Sequence, residues 1–262
     1  MCKPSSKDYN LTVLDFDKEI YTQHGGVYTH QSIKDFHKSI FRYMQLGHLL
    51  SMLEKKELYI PNRKSFSDAS EWGRKINHRN TYPLSPVSRS QRQTKVDANL
   101  AYRKWLASYS VCISCWTYDS LSNTEKNTVD ENYLMWKSYG YNNACCRIET
   151  TIHDLINSIE DKNRFEILVS DISYVQEHLN DGYPQHYIFE KPIYYRDEKE
   201  FRLCVLTQAE AVHLKINPFS MIKRITLSPF ISKELGDFLI SSIKLKYPKW
   251  NVTIDKSRVI EF

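Results

Sequence analysis

Glycine is scarce in this chain, with seven residues in 262. None of them forms the glycine-rich loop that lets a backbone approach a phosphate closely, so the sequence argues against a P-loop or a dinucleotide fingerprint. The nine histidines show neither H-x-x-x-H nor H-E-x-x-H spacing, which argues against a helical zinc hydrolase. Nucleotide or metal chemistry of these common kinds is therefore not expected.

Long hydrophobic runs are also absent. The longest apolar stretches, such as Val111–Ile113 and Phe238–Ile240, fall far short of the roughly 20 residues needed to span a bilayer. Residues 1–17 are polar and charged and lack the apolar core of a signal peptide. Six cysteines are too few for a disulfide scaffold in a chain of this size. We therefore expect a cytoplasmic protein with no membrane partner and with reduced thiols.

The cysteines raise the question of a zinc site, because Cys112 and Cys115 form a C-x-x-C and Cys145 and Cys146 are adjacent. The surrounding residues 111–117 alternate as a strand does, however, and residues three apart on a strand point to opposite faces. Such a pair chelates poorly. The sequence predicts buried thiols and no metal.

Charge is unevenly distributed along the chain. Residues 63–104 carry ten basic and three acidic side chains, a net +7, whereas the whole chain is +5, which leaves the remainder at −2. Such a segment suits a polyanion, either a phosphate-bearing cofactor or a nucleic acid, but it also suits a solvated loop. The candidate nucleic-acid-binding residues are Arg89, Arg92, Lys95, Arg103 and Lys104.

The pattern of apolar residues predicts an α+β protein. Residues 1–30 are expected to be a weakly ordered leader ending at the Gly25-Gly26 turn, and 31–262 a single domain with a basic loop at 74–95. Strands and helices are mixed without regular βαβ alternation. Helices are predicted over 31–40, 46–56, 152–159 and after Ser232, and strands over 41–44, 58–60, 111–117, 188–195, 201–206 and 250–254.

Residues 198–205 form the sharpest local pattern. A strand period of two places Phe201, Leu203 and Val205 on one face, and Glu198, Glu200 and Arg202 on the other. Two neighbouring carboxylates repel, so one holds its proton more tightly unless Arg202 offsets this. The alternative is an exposed strand face with a Glu200–Arg202 ion pair worth about 0–1 kcal/mol.

Several motifs together resemble one known family. Their order along about residues 39–260 is similar to that of the family called domain of unknown function 2971, although Ser67 and Ala69 replace its usual Asn and Pro. The matching segments are Phe41-Arg42-Tyr43, 49–59, 66–71, 111–114, Leu134-Met135-Trp136-Lys137-Ser138-Tyr139 and 198–202. The family name supplies no activity.

A second, looser resemblance is to ADP-ribosyltransferases, on the order arginine, serine and Glu-x-Glu. It implies two small, packed, mostly antiparallel sheets with flanking helices, and NAD bound in the cleft between them. Arg42 would face the phosphates and ribose, Ser114 would support the cofactor, Glu200 would stabilise the oxocarbenium-like state and Glu198 would orient the acceptor. The remaining expected cofactor contacts are Tyr43, Trp136, Tyr139 and Arg202.

Each of these residues also has a purely structural interpretation. Arg42 can pair with an acid at a strand end, Ser114 can be a satisfied core hydroxyl, and Trp136 and Tyr139, three apart on a helix, can be a core contact.

Three functions remain open. The first is an NAD-cleaving ADP-ribosyltransferase that modifies a protein or nucleic acid, as a toxin or anti-phage defence effector. The second is a nucleic-acid-binding or nucleolytic effector that uses the basic 63–104 segment, and the third is an interaction module with a protein partner.

Overall fold

The structure is a computed structural model that describes residues 21–62, 65–66, 110–118, 131–140, 144–176, 188–207 and 209–259. Its strands are β1 Tyr21–His24, β2 Val27–His30, β3 Ser39–Gln45, β4 Glu57–Pro61, β5 Ser110–Thr117, β6 Cys145–Thr151, β7 Glu166–Asp171, β8 Ser173–Val175, β9 Glu190–Pro192, β10 Glu200–Thr207, β11 Ala211–Lys215, β12 Arg224–Leu227 and β13 Thr253–Lys256. Its helices are α1 Leu46–Lys55, α2 Tyr133–Gly140, α3 Ile152–Ser158, α4 Pro218–Met221 and α5 Lys233–Lys246. Two 3-10 turns cover Lys162–Arg164 and Ile193–Glu198.

Nine of these strands form one sheet in the order β1-β2-β7-β10-β5-β3-β6-β12-β13. Long antiparallel ladders join β10 to β5 and β3 to β6. Between β5 and β3, in contrast, a single residue pair is recorded, Phe41 opposite Thr117. The sheet therefore consists of a five-stranded and a four-stranded half that are joined at one point.

The expected α+β architecture is confirmed in its mixture of helices and sheet. The expectation of two small packed sheets was wrong, because the Phe41–Thr117 pair joins the two halves edge to edge. The additional sheets are the two-stranded pairs β11–β4 and β8–β9.

The main core lies on one face of the large sheet. Alternation on β10 turns Phe201, Leu203 and Val205 towards this face, where they pack with residues of α1, α3, α5, β4 and β11. Each fully buried apolar side chain of this size contributes about 1.5–3 kcal/mol relative to an exposed one. The core side of β10 therefore agrees with the sequence prediction.

Helix α1 follows from the spacing of its apolar residues. Leu46, Leu49, Met52 and Leu53 recur at helical intervals and are buried, and Lys56 ends the helix in the left-handed conformation, with φ 54°. No helix in the described part of the chain is long and apolar enough to cross a membrane.

Two expectations near the N-terminus were wrong. Residues 31–40 form turns and then enter β3 rather than a helix, because Ile40 is buried in the sheet opposite Thr150. Residues 21–30, expected to be a weakly ordered leader, form the β1–β2 hairpin, whose turn uses positive φ at Gly25 and Gly26. The hairpin is anchored because β2 pairs with β7. The leader residues 1–20 and the basic loop 74–95 lie outside the described residues.

The strand predicted over 188–195 is much shorter than expected. It ends at Pro192, whose lack of an N–H disfavours continued pairing, and the chain then forms the 3-10 turn. The strand predicted over 250–254 begins only at Thr253.

Ser232 caps α5, as the sequence predicts. Its hydroxyl oxygen accepts a hydrogen bond from the Leu235 N–H at 3.2 Å. We expect Ser232→Ala to lower the free energy of unfolding by about 1 kcal/mol, because an amide of the first turn loses its partner. Urea denaturation measures this change. The matched control is Ser241→Ala, an exposed position inside the same helix, which should not destabilise because alanine has the higher helix propensity. Equal losses in both variants would contradict the capping role.

Candidate active site

The face of the sheet opposite the main core carries the Glu-x-Glu segment. Because Phe201, Leu203 and Val205 face the core, Glu200 and Arg202 face the other way. That face is also covered, by a second apolar cluster that includes Ile188, Phe189 and residues of β5, β7 and β10. Glu200 is consequently only 5% exposed and Arg202 only 1% exposed. The alternative of an exposed strand face with a weak ion pair was therefore wrong.

Four charged side chains meet here, and we call Glu198, Glu200, Lys191 and Arg202 the charge cluster. Arg202 donates from Nε to Glu200 Oε1 at 2.5 Å and from Nη2 to Oε2 at 3.3 Å. Its Nη1 donates to the Ile188 carbonyl at 2.7 Å. Lys191 Nζ lies 2.8 Å from Glu200 Oε2 and 2.7 Å from Glu198 Oε2. Each carboxylate therefore has a cation within hydrogen-bonding distance.

This arrangement keeps Glu200 ionised. Burial alone raises the pKa of the carboxyl, but the charges of Arg202 and Lys191 and the hydrogen bond from Arg202 outweigh burial and lower the pKa to about 2. The Cys115 thiol also hydrogen-bonds to this carboxylate and acts in the same direction. At neutral pH, Glu200 is an anion with a fixed orientation.

Glu198 does not lie on the strand, contrary to the expectation from alternation. It ends the 3-10 turn, and Lys199 then adopts a left-handed conformation with φ 44° before β10 begins at Glu200. The turn is tied to β5, since the Thr117 hydroxyl donates to the Glu198 carbonyl at 2.6 Å. The two carboxylates meet because the chain turns at Lys199 and Lys191 bridges them.

A cavity of about 400 Å³ opens beside the charge cluster, next to the single pair that joins β3 to β5. Most of its lining side chains come from β3, β5, α2, β9, β10 and the 3-10 turn that ends at Glu198, and Phe66 adds one more. The lining residues are Phe41, Tyr43, Phe66, Cys115, Trp116, Thr117, Met135, Ser138, Tyr139, Lys191, Glu198 and Glu200. The cavity therefore combines two carboxylates and a cation with several aromatic rings.

Of the expected catalytic residues, Glu198 and Glu200 reach this cavity and Arg42 does not line it. Arg42 is flanked on β3 by Phe41 and Tyr43, and its Cζ lies 5.9 Å from the centroid of the Trp116 ring. Burial lowers the pKa of its guanidinium, while nearby Cys115 and Tyr139 oppose this effect. Its contact with phosphate or ribose stays a prediction.

Ser114 lies on the core face of β5, away from Glu200. It is fully buried, pairs with Leu203 in the β5–β10 register, and accepts a hydrogen bond from Trp116 Nε1 at 3.0 Å. The structure thus places it as a satisfied core hydroxyl and does not bring it to the cavity. A cofactor contact was expected because sequence order alone does not reveal which face a residue takes.

The aromatic residues expected to contact the cofactor do not all line the cavity. Tyr43 and Tyr139 line the cavity, whereas Trp136 is fully buried behind Tyr43, with the two ring centroids 4.8 Å apart. Trp136 Nε1 donates to Glu131 at 2.9 Å. Arg202, expected to contact the cofactor, holds Glu200 in place and does not line the cavity.

Sequence reasoning missed Lys191 and the cavity position of Cys115. The cysteine was expected only as a buried thiol, although its orientation away from Cys112 was predicted correctly: Cys112 lies in the main core and Cys115 lines the cavity. Lys191 gave no signal because the sequence predicted a continuous strand over 188–195, whereas the chain turns after Pro192 and brings Lys191 back to the two carboxylates. The candidate nucleic-acid-binding residues Arg89, Arg92, Lys95, Arg103 and Lys104 lie outside the described residues.

No family model matches the chain, so membership of domain of unknown function 2971 is not confirmed. No curated protein matches it either. Among solved structures, it is similar to DarT of Thermus sp. 2.9 in complex with NAD+, at 11% identity, with 86% of this chain and 97% of that chain covered and a TM-score of 0.36. That TM-score is too low to establish a shared fold.

The charge cluster predicts how stability depends on pH. The pKa of Glu200 is lower in the folded chain than its ordinary value of 4.5, so its contribution is complete above about pH 4.5 and is lost as pH falls towards 2. Glu200→Gln should therefore flatten the fall in unfolding free energy over that range. It should also cost about 3–5 kcal/mol at pH 7, because it breaks a buried ion pair.

Chemical denaturation at a series of pH values measures both effects. Asp197→Asn is the matched control, because this carboxylate lies in the adjoining turn but is 92% exposed, and it should behave as the wild type does. An unfolding free energy for Glu200→Gln equal to that of the wild type would contradict the charge cluster as described.

Proposed function

We propose that this chain is an ADP-ribosyltransferase-like enzyme that binds NAD in the cavity and transfers ADP-ribose to a macromolecule. One observation carries the proposal: Glu200, a buried and ionised carboxylate that contacts both Arg202 and Lys191, lines a cavity that also contains aromatic rings. Lys191 also contacts a second carboxylate at the same cavity, that of Glu198. The resemblance of the sequence to ADP-ribosyltransferases supports the same function.

The cavity has features that suit part of such a substrate. Its volume of about 400 Å³ falls within the roughly 300–1,000 Å³ of small-molecule sites. The rings of Phe41, Tyr43 and Tyr139 belong to the lining, and Tyr139 is the most exposed of the three at 45%, so a flat heteroaromatic ring can pack against it. Lys191 is the only cation among the described lining residues, and both carboxylates contact it, so we assign no pyrophosphate site to these residues.

The proposed chemistry relies on positioning and electrostatics. When the bond between ribose and nicotinamide breaks, nicotinamide leaves with the bonding electrons and positive charge develops on the ribose. Glu200 would face that charge as a fixed anion. Because Lys191 and Arg202 balance the two carboxylates, the cluster acts through the fixed orientation of its groups rather than through net charge.

Glu198 is suited to a different task. Its side chain is 37% exposed, so it lies nearer to solvent than Glu200 and can meet an incoming acceptor. There it would orient the nucleophile and accept the proton that the nucleophile loses when it attacks the ribose. The acceptor class, protein or nucleic acid, and a role as a toxin or defence effector are parts of this proposal.

Nicotinamide release from NAD tests the proposal. The wild type should release nicotinamide in the presence of a macromolecular acceptor, and Glu200→Gln should lower kcat about 100- to 1,000-fold, the loss typical of removing one electrostatic stabiliser. Glu198→Gln should impair transfer to the acceptor more than it impairs cleavage of NAD by water, because it removes the group that meets the acceptor.

Asp197→Asn is again the control and should retain full activity. All variants are assayed at a temperature at which circular dichroism shows them folded, which separates lost chemistry from lost stability. The absence of both NAD binding and nicotinamide release in the wild type, with protein and nucleic-acid acceptors alike, would overturn the proposal.

A further inference from the structure

Strands β8 and β9 form a small parallel sheet beside the charge cluster. Tyr174 of β8 and Lys191 of β9 are register partners in this pair, so their side chains lie next to each other. The Tyr174 hydroxyl accepts a hydrogen bond from the Glu200 N–H at 2.8 Å, while Lys191 contacts the Glu200 carboxylate. One small sheet therefore holds both the backbone and the side chain of Glu200.

Lys191 is an unusual residue at such a depth. It is 3% exposed, and an ammonium group this buried is costly unless carboxylates compensate it. Its Nζ has Glu198 at 2.7 Å and Glu200 at 2.8 Å, and it lies 5.2 Å from the centroid of the Tyr195 ring. The two carboxylates belong to different elements, a turn and a strand, and this ammonium group is the contact that they share.

We propose that Lys191 is a positioning residue of the active site: its ammonium group, carried by the β8–β9 pair, bridges Glu198 and Glu200 and fixes the distance between them at the cavity. The role in catalysis rests on the proposed function, whereas the bridge itself does not. Without this cation, two carboxylates at one cavity repel each other and one of them takes up a proton more readily.

Other titratable groups face the bridge from every neighbouring element. The pKa of the Tyr174 hydroxyl is raised to about 12, chiefly by burial, so it stays neutral over the range in which carboxylates titrate. Tyr174 therefore does not contribute to an acid limb in the activity profile. The groups that face the bridge are Arg202 of β10, Cys115 of β5, Tyr139 of α2, Tyr174 of β8 and Tyr195 of the 3-10 turn, with Arg42 of β3 beyond Cys115.

Two substitutions at this position separate charge from volume. Lys191→Met keeps the length of the side chain and removes the charge, and it should lower kcat for NAD cleavage about 100-fold while KM changes little. The acid limb of its pH–rate profile should move up by about 1 pH unit or more. Lys191→Arg keeps the charge and should restore the acid limb. Lys215→Met, an exposed lysine on β11, should match the wild type.

A second measurement does not depend on activity. In protein labelled with ¹⁵N and ¹³C, the wild type should show couplings across hydrogen bonds from Lys191 Nζ to the carboxyl carbons of both Glu198 and Glu200. In Glu198→Met, whose side chain has no oxygen acceptor, the coupling to position 198 should be lost while the coupling to Glu200 remains.

The outcomes distinguish this proposal from the proposed function. A folded Lys191→Met variant with unchanged kcat and an unchanged acid limb would overturn the positioning role. If the wild type does not cleave NAD, or if Lys191→Met does not fold, the couplings decide: both couplings present support the bridge, and the absence of either one in the wild type overturns it.

Discussion

The buried carboxylate of Glu200 is the constraint on which the site depends. A carboxylate at this depth is unstable unless cations and donors surround it, and here Arg202 from the same strand and Lys191 from β9 supply them. Their positions require that β10 turn its polar face towards a second apolar cluster and that β9 lie beside it. The local fold around the cavity thus provides the contacts that keep the Glu200 carboxylate ionised and fix its orientation.

The large sheet supplies the space for the cavity. Because Phe41 and Thr117 form the single residue pair between β3 and β5 in the described part of the chain, no continuous hydrogen-bonded ladder sets the distance between the two strands beside this pair. Helix α2 covers this region, since its Trp136 ring packs against the Tyr43 ring of β3. The helix also contributes Met135, Ser138 and Tyr139 to the lining. Long hydrogen-bonded ladders on both sides of this junction are a suitable support for groups that must be positioned before a reaction.

Much of the fold could be predicted from the sequence, and the reasons for the failures are physical. The spacing of Leu46, Leu49 and Leu53 and the cap at Ser232 are local signals, and both were correct. The helix over 31–40 failed because tertiary pairing of Ile40 with Thr150 overrode a weak periodic pattern.

The site was harder to predict than the fold. Alternation correctly set Glu200 and Arg202 apart from the core residues of β10, but it misplaced Glu198, because one left-handed residue, Lys199, breaks the period. Strand register put Ser114 on the opposite face from Glu200, and no sequence pattern could connect Lys191 with either carboxylate. The strand register and the turn between β9 and β10 therefore determine the parts of the site that sequence order did not predict.

The central claim is that Glu200 is an ionised, buried carboxylate in the folded chain, and its titration tests this most directly. Carboxyl ¹³C chemical shifts of glutamate, with Glu200 assigned by its loss in Glu200→Gln, can be followed from pH 7 downwards while the protein remains folded. Our account predicts no titration of Glu200 above about pH 3, consistent with a pKa of about 2. A midpoint at or above the ordinary value of 4.5 would contradict it.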